Sequence, residues 1–348
     1  MSVPRARIAA HAVADVRDSG LFASIRGSFL MLLAAAGCGP PAGGPPERVS
    51  VPPQASFRTV TDSLFAHGLI RNKLLFRVIA RVKGLDRSVK AGVYDLPRGA
   101  PMTDLLARLA SGRIASARFT APEGLTIPEI AAQAARQLGV PAESVMAAAR
   151  DPAEVSALAL PGNSLEGFLF PETYALPLGA SGRDLVRAMG RSFTAAWRPE
   201  WDARLDTLRL TKLQLMALAS IVEGEARADD EREIIAGVYH NRLRIGMALQ
   251  ADPTIQYAIM LATGSRKPRL YTKDYRFASP YNTYLRPGLP PGPVNSPGRR
   301  SIEASLYPAK VPYIYFVAMP DGRHRFAATY NEHLRNVAES RRAFRNAR

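Results

Sequence analysis

Two acids two residues apart, Glu223 and Glu225, close an apolar run that begins at Leu213. A carboxyl emerging from a buried helix sits in low dielectric, and its pKa rises toward neutrality. That is what a general acid needs at physiological pH. Metal-assisted chemistry has little support, because the five histidines are scattered with no pair at ligand spacing. The one cysteine, Cys38, excludes an intrachain disulfide.

The segment that presents the two glutamates reads as a helix over Lys212–Glu225, started by Thr211. Leu213, Leu215, Met216, Leu218, Ala219, Ile221 and Val222 make it apolar nearly all round, which predicts a central, buried helix. Positions two apart project about 200° from one another, so the glutamates cannot share one cleft. Glu225 extends the stripe of Leu218, Ile221 and Val222, whereas Glu223 continues the smaller, partly polar row of Met216, Ala219 and Ser220. The pattern favours Glu225 and leaves Glu223 open. The bland alternative ends both in solvent, against which the helix dipole argues weakly, since acids at a helix C-terminus are unfavourable.

A second helix from about Asp230 carries Tyr239 and Asn241 toward the cleft and Val238 and Leu243 toward the core. Gln250 and Asp252 precede Pro253, so they lie on extended backbone. Asp252 reads foremost as the cap of a helix over Pro253–Leu261. The proline- and glycine-rich stretch after Tyr281 cannot be regular structure. With Tyr281, Asn282 and Tyr284 it suits an ordered wall of a groove. Tyr313–Ala318 reads as a strand, with Gly322 in the turn and His324 opening its hairpin partner. A lone strand histidine is foremost structural. Thr329 starts a basic final helix.

Several of these segments together resemble one family. Ala219-Ser-Ile-Val-Glu-Gly-Glu225, the run Ala236–Tyr257, Tyr281-Asn-Thr-Tyr284, Gly288–Pro293 and Ser296-Pro-Gly298 closely resemble the YceG-like family, which includes endolytic murein transglycosylases. The resemblance runs from about Ser56 to the C-terminus and is dense from Leu215 to Asn331. It implies that Glu225 occupies the catalytic position, with Gly224 where lysine is more usual. It further implies that a single carboxyl protonates the glycosidic oxygen between N-acetylmuramic acid and N-acetylglucosamine. The carboxylate then takes the proton of the muramoyl 6-hydroxyl as a 1,6-anhydro ring closes. Glu223, Asn241, Gln250, Asp252, Tyr281, Asn282 and Tyr284 are the expected substrate-binding residues, with no metal and no cofactor. The alternatives are an inactive glycan-binding scaffold and a hydrolase that adds Asp252 to Glu225.

The rest of the chain is consistent with work on a cell-wall polymer. Lys and Arg exceed Asp and Glu by 16 over 348 residues, a surplus that favours polyanionic surroundings or serves solubility alone. No basic run interleaved with aromatics appears, so a nucleic-acid partner is not expected. Residues 1–38 combine arginines with the apolar run Phe29–Cys38, as an export signal does. Ala-Ala-Gly-Cys38 resembles a lipobox, although Ala35 stands where leucine is usual; the alternative is an ordinary signal peptide in which Cys38 is incidental. Residues 39–55 read as a Pro/Gly tether. Residues 56–117 read as a small α/β module, and Lys90–Tyr94 with the helix after it resembles the glycan-binding LysM modules of cell-wall enzymes. Residues 118–205 read as a connecting helical region, with Leu165–Tyr174 an aromatic corner around Pro171. Residues 206–348 read as the catalytic domain. The expected class is α+β: the small module, then a mostly helical domain ending in a β-hairpin. The expected partners are peptidoglycan strands, a membrane holding the N-terminus outside the cytoplasm, and peptidoglycan synthases, the last on the resemblance alone.

Overall fold

The computed structural model describes residues 44–347. The export-signal and lipobox readings, Cys38 included, lie outside the described residues. The described residues divide into two compact units, the first ending at Ala115 and the second beginning at Ser116.

The first unit runs β1 (Glu47–Val51), α1 (Phe57–Ala66), α2 (Lys73–Val82), β2 (Gly92–Leu96) and α3 (Met102–Ser111). Ser56 and Asn72 cap α1 and α2, their side chains accepting from the Thr59 and Leu75 amides. β1 pairs antiparallel with β2, Val49 opposite Tyr94. This strand occupies part of the stretch expected to be a tether. Prolines flank it, but Glu-Arg-Val-Ser-Val alternates. Its valines enter the core beside Tyr94, Leu96, Phe76 and Leu105. Burying each contributes roughly 1.5–3 kcal/mol, which overrides the local composition.

The second unit begins with β3 (Ser116–Thr120), α4 (Ile127–Leu138), α5 (Ala142–Ala149), α6 (Pro152–Ala157) and β4 (Thr173–Pro177). α7 (Gly182–Ala196), α8 (Pro199–Leu208) and α9 (Lys212–Glu225) follow, then α10 (Arg232–Arg244), α11 (Asp252–Thr263) and α12 (Arg299–Leu306). It closes with β5 (Tyr315–Ala318), β6 (His324–Ala327) and α13 (Tyr330–Asn346). β3 and β4 pair antiparallel with Phe119 opposite Tyr174, and β5 and β6 form the C-terminal hairpin with Phe316 opposite Phe326. The class is α+β, built of helices and two-stranded ribbons.

α9 is the shared wall of two cores, which is why it is apolar all round. Leu215, Met216 and Ala219 pack into one cluster with Phe168, Met189, Phe193 and Ile302. Leu218, Ile221 and Val222 pack into the other with Ile235, Tyr239, Tyr257 and Met260. Every residue from Leu215 to Val222 is buried. A reciprocal cap starts the helix: the Gln214 amide donates to Thr211 Oγ1 at 3.2 Å, and the Thr211 amide to Gln214 Oε1 at 2.9 Å. The first cluster also takes Phe119, Ile130, Leu185 and Trp201 from 118–205, so that stretch and α9 share one core. The aromatic corner lies within it, Phe168 meeting Phe193 edge-on at 5.1 Å.

Candidate active site

The site forms where the end of α9 meets the start of α11. Gly224 makes the approach close: a Cβ there would stand 2.6 Å from Pro253 Cγ. The turn into α11 is held from outside. Gln250, exposed and at φ +50°, donates its amide to the Thr283 carbonyl at 3.1 Å. The Ala251 amide donates to Thr283 Oγ1 at 3.0 Å, and Thr254 Oγ1 lies 2.9 Å from the same hydroxyl. A left-handed non-glycine residue is a strained position of the kind that clusters at functional sites. Asn282, fully buried, organises the loop that carries Thr283. It donates to the Tyr275 and Phe277 carbonyls at 3.1 and 2.8 Å and accepts from the Tyr284 amide at 2.9 Å.

Glu225 is the last residue of α9 and half-buried. The Tyr239 hydroxyl, from the fully buried face of α10, donates to Glu225 Oε1 at 3.1 Å. Burial pushes the Glu225 carboxyl up to about 7, and the charge of Asp252 adds to the rise. The Tyr239 hydroxyl, the Asp252 backbone amide and the Arg242 charge oppose it. Tyr239 is itself fixed by packing, its ring edge-on to Phe316 at 5.8 Å. Arg242 is anchored by donating from Nε to the Ile314 carbonyl at 2.7 Å.

Asp252 is the first residue of α11, and Ala251 takes the cap position. The expected capping role is therefore not what its side chain performs. The helix begins one residue earlier than Pro253 implied, which turns the carboxylate outward from the helix amides. Oδ1 accepts from the Tyr284 hydroxyl at 2.7 Å, and Oδ2 lies 3.5 Å from the Tyr275 hydroxyl, a weak contact. Burial raises the Asp252 carboxyl, and the two tyrosine hydroxyls oppose the rise. The tyrosine rings meet edge-on at 4.7 Å.

The other expected residues have different surroundings. Glu223 leaves α9 on the opposite side. Its Oε1 accepts from Arg232 Nη2 at 3.2 Å, and its Oε2 from the Gly298 amide at 3.0 Å and the Ser301 hydroxyl at 2.8 Å. It thus caps the N-terminus of α12, where the helix dipole favours an anion. Asn241 donates to the Val311 and Tyr313 carbonyls at 2.8 and 3.0 Å, fixing the approach to β5. Tyr281 meets Tyr257 edge-on at 4.9 Å. His324 is buried with its Nδ1 2.8 Å from Glu231 Oε2, at the base of the hairpin. Glu225, Asp252, Tyr284 and the Gln250 turn come together; Glu223, Asn241 and Asn282 are committed to scaffold bonds.

Two tyrosines complete the constellation that the expected set did not contain. Tyr239 was legible as cleft-facing, and its hydroxyl becomes specific only once α10 packs on α9. Tyr275 sits in the short helical turn Asp274–Arg276, where no periodicity singles it out. Glu166 is a buried acid away from this group. It accepts from the Ile127 amide at 3.2 Å and the Tyr257 hydroxyl at 3.2 Å, and burial pushes it up to about 7. It closes the aromatic corner and is not part of the Glu225 group. Around Glu225 the geometry offers one carboxyl able to give and take a proton near neutrality, with a second carboxyl beside it.

The YceG-like family model matches residues 49–339. An endolytic murein transglycosylase of Bacillus subtilis (strain 168) is 31% identical over 301 residues, 82% of this chain and 82% of that protein. An endolytic murein transglycosylase of Streptococcus pneumoniae (strain D39) is 31% identical over 319 residues, 84% of this chain but 58% of that longer protein. A crystal structure of a YceG-like protein from Listeria monocytogenes superposes with a TM-score of 0.58 at 28% identity, covering 83% of this chain and 98% of that one.

Proposed function

The chain belongs to the YceG-like family, and from that premise we propose that it is an endolytic murein transglycosylase with Glu225 as its acid and base. The observation that carries the reading is Glu225 itself: half-buried at the end of α9, pushed up to about 7, and held by the Tyr239 hydroxyl. A carboxyl still substantially protonated near neutrality can donate to a leaving oxygen.

In the first step neutral Glu225 gives its proton to the glycosidic oxygen as the bond to C1 of N-acetylmuramic acid breaks. In the second the Glu225 carboxylate takes the proton of the muramoyl 6-hydroxyl, whose oxygen bonds to C1 and closes the 1,6-anhydro ring. Glu225 ends protonated, and no water is consumed. Asp252 supports the first step, because its charge favours the protonated form of Glu225. Gln250, Tyr284 and Tyr281 are the residues we assign to contact with the sugars. The first unit is read as the LysM-like, glycan-binding part, and residues 1–38 as the segment that anchors the chain to the membrane outside the cytoplasm. Peptidoglycan synthases are the partners such an enzyme would serve.

Incubating the full chain with purified peptidoglycan and analysing the products by mass spectrometry tests this. Anhydromuropeptides from the wild type and none from Glu225→Gln are expected. Cleavage surviving Glu225→Gln moves the role elsewhere, and glycan binding without any cleavage would leave a scaffold. The closeness of Asp252 favours a second reading, hydrolysis by the two carboxyls together. Reducing muramic acid ends in place of anhydro ends would establish it.

A further inference from the structure

Helix α2 is apolar on two opposite faces. Phe76 and Ala80 enter the core of the first unit. Leu74, Val78 and Val82, each four residues on from the last, share the outward side and are 73%, 50% and 82% exposed. Phe65, 44% exposed near the end of α1, has the ammonium of Lys73, the neighbour of Leu74, 4.7 Å from its ring centroid. A surface helix ordinarily shows one apolar stripe, toward its own core.

The outward stripe is edged by a basic one. Lys73, Arg77 and Arg81 also repeat every four residues, next to Leu74, Val78 and Val82. Asp62 lies 2.8 Å from Lys73 and 3.5 Å from Arg77, and Asp86 lies 3.0 Å from Arg81. Arg71 and Lys83 flank the helix and are exposed, as is Arg87 in the segment after it. Residues 44–115 hold twelve Lys and Arg against five Asp and Glu, so the unit stays net positive. An apolar ridge with basic residues along its edge suits a helix lying in the interface of an anionic bilayer.

Chain length specifies what is near enough to cover this face. Nine peptide steps lead from Cys38 to Glu47, where β1 begins. At most about 3.5 Å each, they reach about 30 Å. A unit of this size has a radius of gyration of about 11 Å, so its width is of the same order as that reach. An anchor on the apolar run Phe29–Cys38 therefore keeps the first unit against the bilayer surface.

We propose that α2 is a membrane-docking helix, laying Leu74, Val78 and Val82 among the headgroups of an anionic bilayer with Lys73, Arg77 and Arg81 toward the phosphates. This rests on the N-terminal anchor of the preceding section and is independent of the catalytic assignment. Such docking orients the first unit on the membrane.

Hydroxyl-radical footprinting of the full chain reconstituted on phosphatidylcholine vesicles containing about one-third phosphatidylglycerol tests it. Oxidation of Leu74, Val78, Val82 and Phe65 is expected to fall roughly fivefold relative to the chain free of vesicles, while exposed Leu285 in the second unit serves as the reference. In a triple variant with Leu74, Val78 and Val82 each changed to Glu, Phe65 should regain its oxidation while the chain still sediments with vesicles. Sedimentation with α2 oxidised as in solution overturns the docking and leaves the anchor. A chain that stays in the supernatant overturns both. Protection that needs no vesicles and grows with protein concentration assigns the face to a second copy and also overturns the proposal.

Discussion

The hydroxyl of Tyr239 reaches Oε1 of Glu225 at 3.1 Å from a helix face that solvent does not touch. That one bond opposes the rise that burial and the charge of Asp252 impose on the carboxyl. Tyr239→Phe keeps the ring against Phe316 and removes only the donor. Losing it raises the Glu225 pKa further, so the protonated form persists to higher pH. The alkaline limb of kcat/KM should move up in pH, at a stability cost of about 1 kcal/mol. A pH–rate profile with the wild-type limb would show that the bond does not tune the acid.

Tyr284→Phe should act in the opposite direction. The Tyr284 hydroxyl at 2.7 Å lowers the Asp252 pKa. Without it Asp252 is charged less at a given pH, and its contribution to the rise of Glu225 weakens. The Glu225 limb should then move down in pH. Measuring both single variants and the double variant under the same conditions checks the two signs and their coupling.

Glu223 and Glu225 should separate stability from activity. Glu223→Gln removes the charge that holds Arg232 Nη2 at 3.2 Å and weakens the cap on α12. A loss of roughly 1–3 kcal/mol in urea unfolding is expected, with cleavage retained by the folded fraction. Glu225→Gln should abolish cleavage and leave unfolding near wild type. The reverse pattern would assign the chemistry to Glu223.

Glu166 should make stability depend on pH. It is buried and pushed up to about 7 from an ordinary 4.5. Between those values the folded chain binds more protons than the unfolded one, so this contribution is full below about pH 4.5 and is lost as pH rises to about 7. The difference amounts to about 3 kcal/mol. Glu166→Gln should therefore be more stable than wild type at pH 8, and the gap should close near pH 5. Equal differences at both pH values, read from urea unfolding, would remove Glu166 as the cause.

Helix α9 shows what was legible without coordinates. A helix apolar all round has to be buried, and its ends are marked by Thr211 and by the two glutamates, so Lys212–Glu225 emerges from periodicity and capping alone. The 200° between Glu223 and Glu225 is likewise a property of the α-helix, and it separates their surroundings in any fold. The hairpin at Tyr315–Ala327 and the final helix after Thr329 follow from local patterns of the same kind. Strand β1 did not, because the prolines around Glu47–Val51 read as a tether until Tyr94 and Leu96 supplied a core for its valines.

What the linear chain determined, then, was the element that carries the acid and the two directions its carboxyls must take. Which groups meet those carboxyls was decided only in three dimensions. Tyr239, Asp252 and Tyr284 lie 14, 27 and 59 positions from Glu225. No spacing rule connects residues so far apart. Their meeting depends on the close approach of Gly224 to Pro253 and on Thr283 holding the Gln250 turn. The desolvation of the Glu225 carboxyl, which raises it to about 7, is likewise a property of the packed fold and not of any segment within it.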